Sequence, residues 1–179
     1  SNRDWKEYVY WMGLMYGTKV AEKCRPDSTV WREELAYNEP YLNYYFTPVA
    51  YDMYPVVGVS WEQATDYCAW RTDRVNERIL KEAGVIDFPD FAAIHKDSTK
   101  STSDTIAKTM VFNTNKYLKS DDYTPDRAKS TMKTEFGDVR KTTMSDGLLL
   151  PEYRLPTEAE WEFAAYGITS KTDMENYDQ

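Results

Sequence analysis

Two short blocks, residues 55–70 and 153–167, each read as a Pro-led lead-in to a capped, tryptophan-bearing helix, and the polar residues 71–152 stand between their cores. This is the pattern of a scaffold with a large addition driven through it. The addition is where a property peculiar to this chain would sit. In the first block Val56, Val57 and Val59 form a β-branched run suited to a short strand, and Gly58 permits a kink or a close approach. Ser60 with Gln63 has the S-x-x-Q form of a capping box, which predicts a helix from Trp61. Trp61, Ala64, Cys68, Val75 and Ile79, flanked by Tyr67 and Leu80, follow the three-and-four spacing of one buried face, and Gly84 is a natural stop. The opposite face carries Glu62, Asp66, Asp73, Arg74 and Glu77, the pattern of a solvated side.

The second block repeats the plan. Arg154 and Pro156 lead into Thr157, and Thr157 with Glu160 forms a T-x-x-E box that puts Glu158 and Glu160 in the positive first turn. Gly167 closes this helix. Trp61, Trp70 and Trp161 read most simply as core anchors, because aromatic rings dominate burial energetics.

Elsewhere the signals are local. Trp5, Tyr8, Val9, Met12 and Met15 or Tyr16 fall near one helical face, weakened by Gly13 and Gly17. Pro26 and Asp27 mark a turn, Thr29 to Trp31 fits a short strand, and Pro48 ends a mixed aromatic segment that begins at Tyr41. The cluster of Tyr37, Tyr41, Tyr44, Tyr45, Phe46, Tyr51 and Tyr54 suits either a half-buried scaffold with hydroxyls in water or a subunit contact. In the addition, residues 96–104 are poor in apolar side chains and suit a disordered or mobile loop. Met110 to Phe112 with Tyr117 and Leu118 offers one ordered patch, and Phe136 with Val139 a second. Loops of this length are uncommon unless functional or disordered, so the addition is expected to pack partly on the scaffold and to carry contacts. Because loop closure entropy changes slowly with length, excising residues 96–145 is expected to leave the scaffold folded.

The motif V-S-W-x-x-A-x-x-Y-C-x-W, followed by R-L-P-T-E-A-E-W-E-x-A-A, resembles the signature of the formylglycine-generating-enzyme, or sulfatase-modifying-factor, family, a relative of the C-type-lectin fold. On that resemblance the scaffold signature is Trp61, Cys68, Trp70, Arg154, Pro156, Thr157, Glu160 and Trp161, and the fold class is α+β, incomplete in this chain and carrying a large insertion. The division expected is residues 1–86 for the N-terminal part of the domain, 87–150 for the insertion, and 151–179 for the second scaffold helix and a truncated tail. The long form of the first helix and the upstream residues 30–41 are similar to the gliding-motility lipoproteins of the GldK/PorK type and their sibling GldJ. That resemblance implies a non-enzymatic structural subunit of the type IX secretion and gliding machinery at the periplasmic face of the outer membrane. It also implies a GldN/PorN-type protein partner, a homo-oligomer in full-length form, and a lipid anchor not present in this chain as the sole membrane attachment.

The alternative is a fragment of a formylglycine-generating oxidase whose catalytic half is absent. In those enzymes the resemblance places a copper-binding, redox-active cysteine pair far downstream of the R-L-P-T-E helix, and Cys68 does not match it. The chain's own chemistry is sparse, with two cysteines and one histidine, so no catalytic, cofactor-binding or metal-binding residue is assigned and no cofactor is expected. His95 lacks a second ligand at metal spacing, and Asp121 with Asp122 lacks the alternation of a calcium loop. Cys24 and Cys68 could pair in an oxidising compartment. A formal charge of -8 and a pI near 4.8 oppose binding to nucleic acid, which requires Lys and Arg at the phosphates. No apolar run approaches the roughly twenty residues needed to span a bilayer.

Overall fold

The computed structural model describes residues 1–32, 37–87, 111–119, 132–138 and 140–177, with side chains described as far as Gly167. Six α-helices order the described chain: α1 (Asn2–Tyr16), α2 (Thr18–Lys23), α3 (Glu39–Tyr44), α4 (Trp61–Glu82), α5 (Thr114–Lys119) and α6 (Glu158–Tyr177). Short 3-10 turns lie at Ser28–Trp31, Val49–Tyr51 and Met144–Asp146.

Helix α1 starts where the Ser1 hydroxyl accepts from the Asp4 amide, and it ends at Gly17, whose φ of 89° sits in the region that favours glycine. The break folds α2 back on α1. They approach closely because Gly13 has no side chain; a Cβ there would stand 3.3 Å from that of Ala21. The first turn of α1 also holds the aromatic segment before α4. The Asn2 amide and the Arg3 amide donate to the carbonyls of Tyr54 and Asp52 at 2.8 and 2.9 Å, and the buried Asn2 side chain donates to the Tyr51 carbonyl at 2.9 Å. Within that segment Tyr45 is buried and donates its hydroxyl to the Pro55 carbonyl at 2.7 Å, while Tyr37, Tyr44 and Tyr54 are exposed.

Helix α4 begins as its capping box requires, with Gln63 N–H on Ser60 Oγ and Ser60 N–H on Gln63 Oε1. Gln63 also donates to the Lys23 and Arg25 carbonyls, tying the start of α4 to the end of α2. Its first half packs on α1 through rings. Tyr67 stacks on Trp5 at 5.1 Å between centroids, and Tyr8 meets Tyr67 edge-on at 5.5 Å and Trp70 at 5.2 Å. The Trp5 indole N–H donates to the Cys24 carbonyl at 2.8 Å, which satisfies that ring's polar edge inside the core.

The second half of α4 grips two non-helical segments with polar side chains. Asn76 is fully buried; its Nδ2 donates to the Leu150 carbonyl at 3.1 Å and its Oδ1 accepts from the Leu150 amide at 2.9 Å, as a neighbouring strand would. Asp73 accepts from the Thr114 amide at 2.7 Å and the Asn113 side chain at 3.0 Å, and Arg74 donates to the Phe112 carbonyl at 2.7 Å. Beneath them Leu80, Val85, Ile86, Phe112, Tyr117 and Leu149 make a second apolar core.

Three expectations are corrected here. The α+β fold class is not what forms: among the described residues there are helices and turns, single bridges at Ile86 and Lys133, and no strand. A strand requires a ladder partner, yet the Val56 to Val59 run is tied to neighbouring backbone, among the described residues, by Asp27 N–H to the Gly58 carbonyl at 2.7 Å. Gly58, at φ 82°, bends it so closely that a Cβ would lie 2.2 Å from the Asp27 oxygen. The stretch from Thr29 to Trp31 forms a 3-10 turn because the Asp27 carboxylate accepts from the Thr29 amide.

The buried face of α4 is also rotated from the expected one. Trp61 is 69% exposed, whereas Glu77, placed on the solvated side by periodicity, is 4% exposed and paired with Arg74 at 2.8 Å. Lastly, the insertion packs partly on the scaffold, as expected, and the correction falls on its removal, because residues 96–145 include part of the second core. Phe112 and Tyr117 of the expected patch are core residues, although Phe136 is exposed. His95, Met110, Asp121, Asp122, Val139 and residues 96–104 lie outside the described residues.

Excising residues 96–145 removes Phe112 and Tyr117 from beneath Leu80, so the expected result is loss of cooperative unfolding. Phe112→Ala alone is expected to cost about 3–5 kcal/mol. Urea melts followed by circular dichroism check both; an excised chain with the wild-type midpoint would show that the second core is dispensable.

Candidate functional site

The two sequence blocks meet at one seam. Trp61, Thr65, Cys68 and Ala69 from the start of α4 face Tyr153, Arg154, Leu155 and Pro156 across a cleft of about 360 Å³. The lead-in to α6 arrives there because α4 holds it: the Tyr153 amide donates to Thr72 Oγ1 at 2.9 Å, three residues beyond the Asn76 pairing with Leu150. Pro156 then fixes the backbone just before the helix start.

Arg154 and Glu160 lock that start. The guanidinium donates from Nη1 and Nη2 to the two carboxylate oxygens at 2.7 Å each, a fork-to-fork pair. Glu160 Oε2 accepts from the Thr157 amide at 2.8 Å, and Thr157 Oγ1 accepts from the Glu160 amide at 3.4 Å, completing the capping box. The Arg154 hydrogen bonds, followed by the Thr157 amide, pull the Glu160 carboxyl down from its ordinary 4.5 to about 2. Its partner's guanidinium is pushed further up. Gly167 does not end the helix, because α6 continues to Tyr177.

Of the eight signature residues, Trp61, Cys68, Arg154 and Pro156 line the seam, and Thr157 and Glu160 hold its edge. Trp70 points elsewhere, into the α1 core with Tyr8, Trp11 and Tyr67. Trp161 is 65% exposed, so neither it nor Trp61 serves as a core anchor. Sequence reasoning missed Tyr153, Phe163 and Tyr166, all exposed. A signal was present: from Ala159 to Tyr166 the apolar residues are spread round the helix rather than gathered on one face.

The thiols do not converge. Cys24 is buried with its Sγ donating to the Tyr8 hydroxyl at 3.6 Å, Cys68 lines the seam, and both are free. Burial pushes the Cys68 thiol up, which opposes thiolate chemistry. Copper, which the family resemblance implies, needs thiolates that point at one another, and these two do not fit it. Among the described residues no group of three or more His, Cys, Asp or Glu side chains gathers at metal-binding distance, and no helix is long and apolar enough to cross a membrane.

The sulfatase-modifying factor enzyme 1-like domain matches residues 1–178, and the chain belongs to that family. Comparison with curated proteins and with solved structures gives no match.

Two outcomes follow for the helix starts. Thr157→Ala and Ser60→Ala are each expected to destabilise the fold by about 0.5–2 kcal/mol in denaturant melts, since each strips a helix-start amide of its acceptor; unchanged midpoints would count against the caps. A depressed carboxyl contributes stability above its ordinary value that is lost as pH falls through its folded value, so the Glu160 contribution should fade between pH 4.5 and about 2. Side-chain NMR titration is expected to find the Glu160 midpoint near 2 and to see it rise in Arg154→Gln. A wild-type midpoint at 4.5 would mean the fork does not persist in solution.

Proposed function

We propose that this chain is a non-enzymatic assembly module of the sulfatase-modifying-factor family whose second signature helix is a protein contact surface. The observation that carries this reading is the exposure of Trp161, Phe163 and Tyr166 on α6, with Trp61 and Tyr153 exposed at the seam. Exposed aromatic residues are typical of the cores of protein interfaces. Free thiols that do not converge support the non-enzymatic side of the proposal.

In its finer form the proposal is a structural subunit of the type IX secretion and gliding machinery, at the periplasmic face of the outer membrane, bound to a GldN/PorN-type partner and assembled with copies of itself. What supports it is the extended first signature helix, together with the upstream residues 30–41. The acidic balance of the chain agrees with a protein partner rather than nucleic acid.

Pull-down with a GldN/PorN-type subunit and sizing of the complex test this. Replacing Trp161, Phe163 and Tyr166 by Ala together is expected to weaken capture about thirtyfold or more while leaving the circular dichroism of the scaffold unchanged. Full capture by the folded triple variant would overturn the contact role of α6, and failure of the wild-type chain to capture the partner would overturn the secretion assignment. Mass spectrometry of a cysteine-containing sulfatase-motif peptide, incubated with the chain with or without copper, is expected to return the peptide unchanged. Conversion of its cysteine to an aldehyde would reverse the non-enzymatic reading.

A further inference from the structure

Away from the seam, a cleft of about 400 Å³ runs between α1, α2 and the bend at Phe46 and Thr47. That size lies in the small-molecule range of about 300–1,000 Å³, and such sites combine apolar walls with a few polar groups. Val9, Leu14, Ala21 and Phe46 make the walls here. The floor is open at Gly13, which contributes no side chain where α1 and α2 close to within Cβ contact.

The charge of the lining is the opposite of the chain's. The formal charge of the whole is -8, yet two cations, Lys6 and Arg25, line this cleft and no carboxylate does. They are not equivalent. Lys6 is engaged, donating to Asp52 and to the Thr47 and Pro48 carbonyls. Arg25 is exposed, and among the described residues its guanidinium makes no ion pair. Its backbone carbonyl accepts from Gln63 at 3.2 Å, which fixes the main chain from which the side chain projects.

We propose that this cleft binds a single-chain amphiphile with a carboxylate head, a free fatty acid, the acyl chain lying along Val9, Leu14, Ala21 and Phe46 and the head on Arg25. A guanidinium matches a carboxylate with two parallel N–H donors, and the walls remove methylenes from water. Exposed Tyr10 on the rim supplies an amphipathic edge between the two.

Isothermal titration of the full chain with dodecanoate below its micelle concentration tests this, with dodecyltrimethylammonium as the cationic control and octanoate as the short one. Dodecanoate is expected to bind at least tenfold more tightly than the cation, and octanoate more weakly by roughly fourfold per methylene removed from the cleft. Arg25→Glu is expected to abolish the preference for the anionic head, Arg25→Lys to retain part of it, and Thr18→Trp, at the exposed rim, to weaken every ligand, with folding of each variant confirmed by circular dichroism. Equal binding of anionic and cationic heads, an unchanged dodecanoate affinity in folded Arg25→Glu, or no binding at all would overturn the proposal. Co-sedimentation with phosphatidylglycerol–phosphatidylcholine vesicles in the absence of dodecanoate binding would overturn it too, by assigning Arg25 to a lipid surface.

Discussion

The buried amide of Asn76 is the contact on which the rest of the arrangement depends. By giving and receiving one hydrogen bond with Leu150, it supplies to a non-helical segment the pairing a neighbouring strand would supply. It is the Asn76 amide that is fully buried, and a buried polar group left without such partners would cost roughly 1–3 kcal/mol. Thr72 repeats the service for Tyr153 one helical turn earlier, and together they carry the chain from the second core to the seam. Without that delivery Arg154 and Pro156 would not face Trp61 and Cys68, and the two sequence blocks would not form one site.

The same helix has two kinds of neighbour. Toward α1 its contacts are rings, with Tyr67 and Trp70 against Trp5, Tyr8 and Trp11. Toward the insertion they are polar groups above an apolar core. Arg74 joins the two regimes, because its guanidinium lies 4.6 Å from the Trp11 ring centre, pairs with Glu77 and donates to the Phe112 carbonyl. The charges on this face are therefore structural. They hold chain from the insertion against the helix rather than facing water.

A scaffold tied in this way leaves its signature tryptophans free for another purpose. Trp61 at the seam and Trp161 on α6 stand at the surface, as do Tyr153, Phe163 and Tyr166, and the Arg154–Glu160 fork fixes the start of the helix that carries three of them. The cleft between α1 and α2 is separate in chemistry as well as place, being apolar with cations at its edge. Both surfaces owe their form to close approaches at glycine, Gly13 for the helical hairpin and Gly58 for the lead-in to α4.

The sequence by itself determined what depends on neighbours a few residues away. Ser60 with Gln63 and Thr157 with Glu160 start their helices where the boxes place them, Gly84 lies just beyond the end of α4, and Gly58 makes the close approach its position suggested. Half of the expected signature, Trp61, Cys68, Arg154 and Pro156, does gather in one place. Only the tertiary structure decided which face of α4 is buried, because Asp73, Arg74 and Glu77 look like part of a solvated side until residues 112–114 bring hydrogen-bonding groups to Asp73 and Arg74. Only it decided that the Val56 to Val59 run stays an extended segment: β-branched residues favour a strand locally, but a strand needs a ladder of hydrogen bonds along a partner segment, and among the described residues the backbone beside this run supplies one rung, Asp27 N–H to the Gly58 carbonyl.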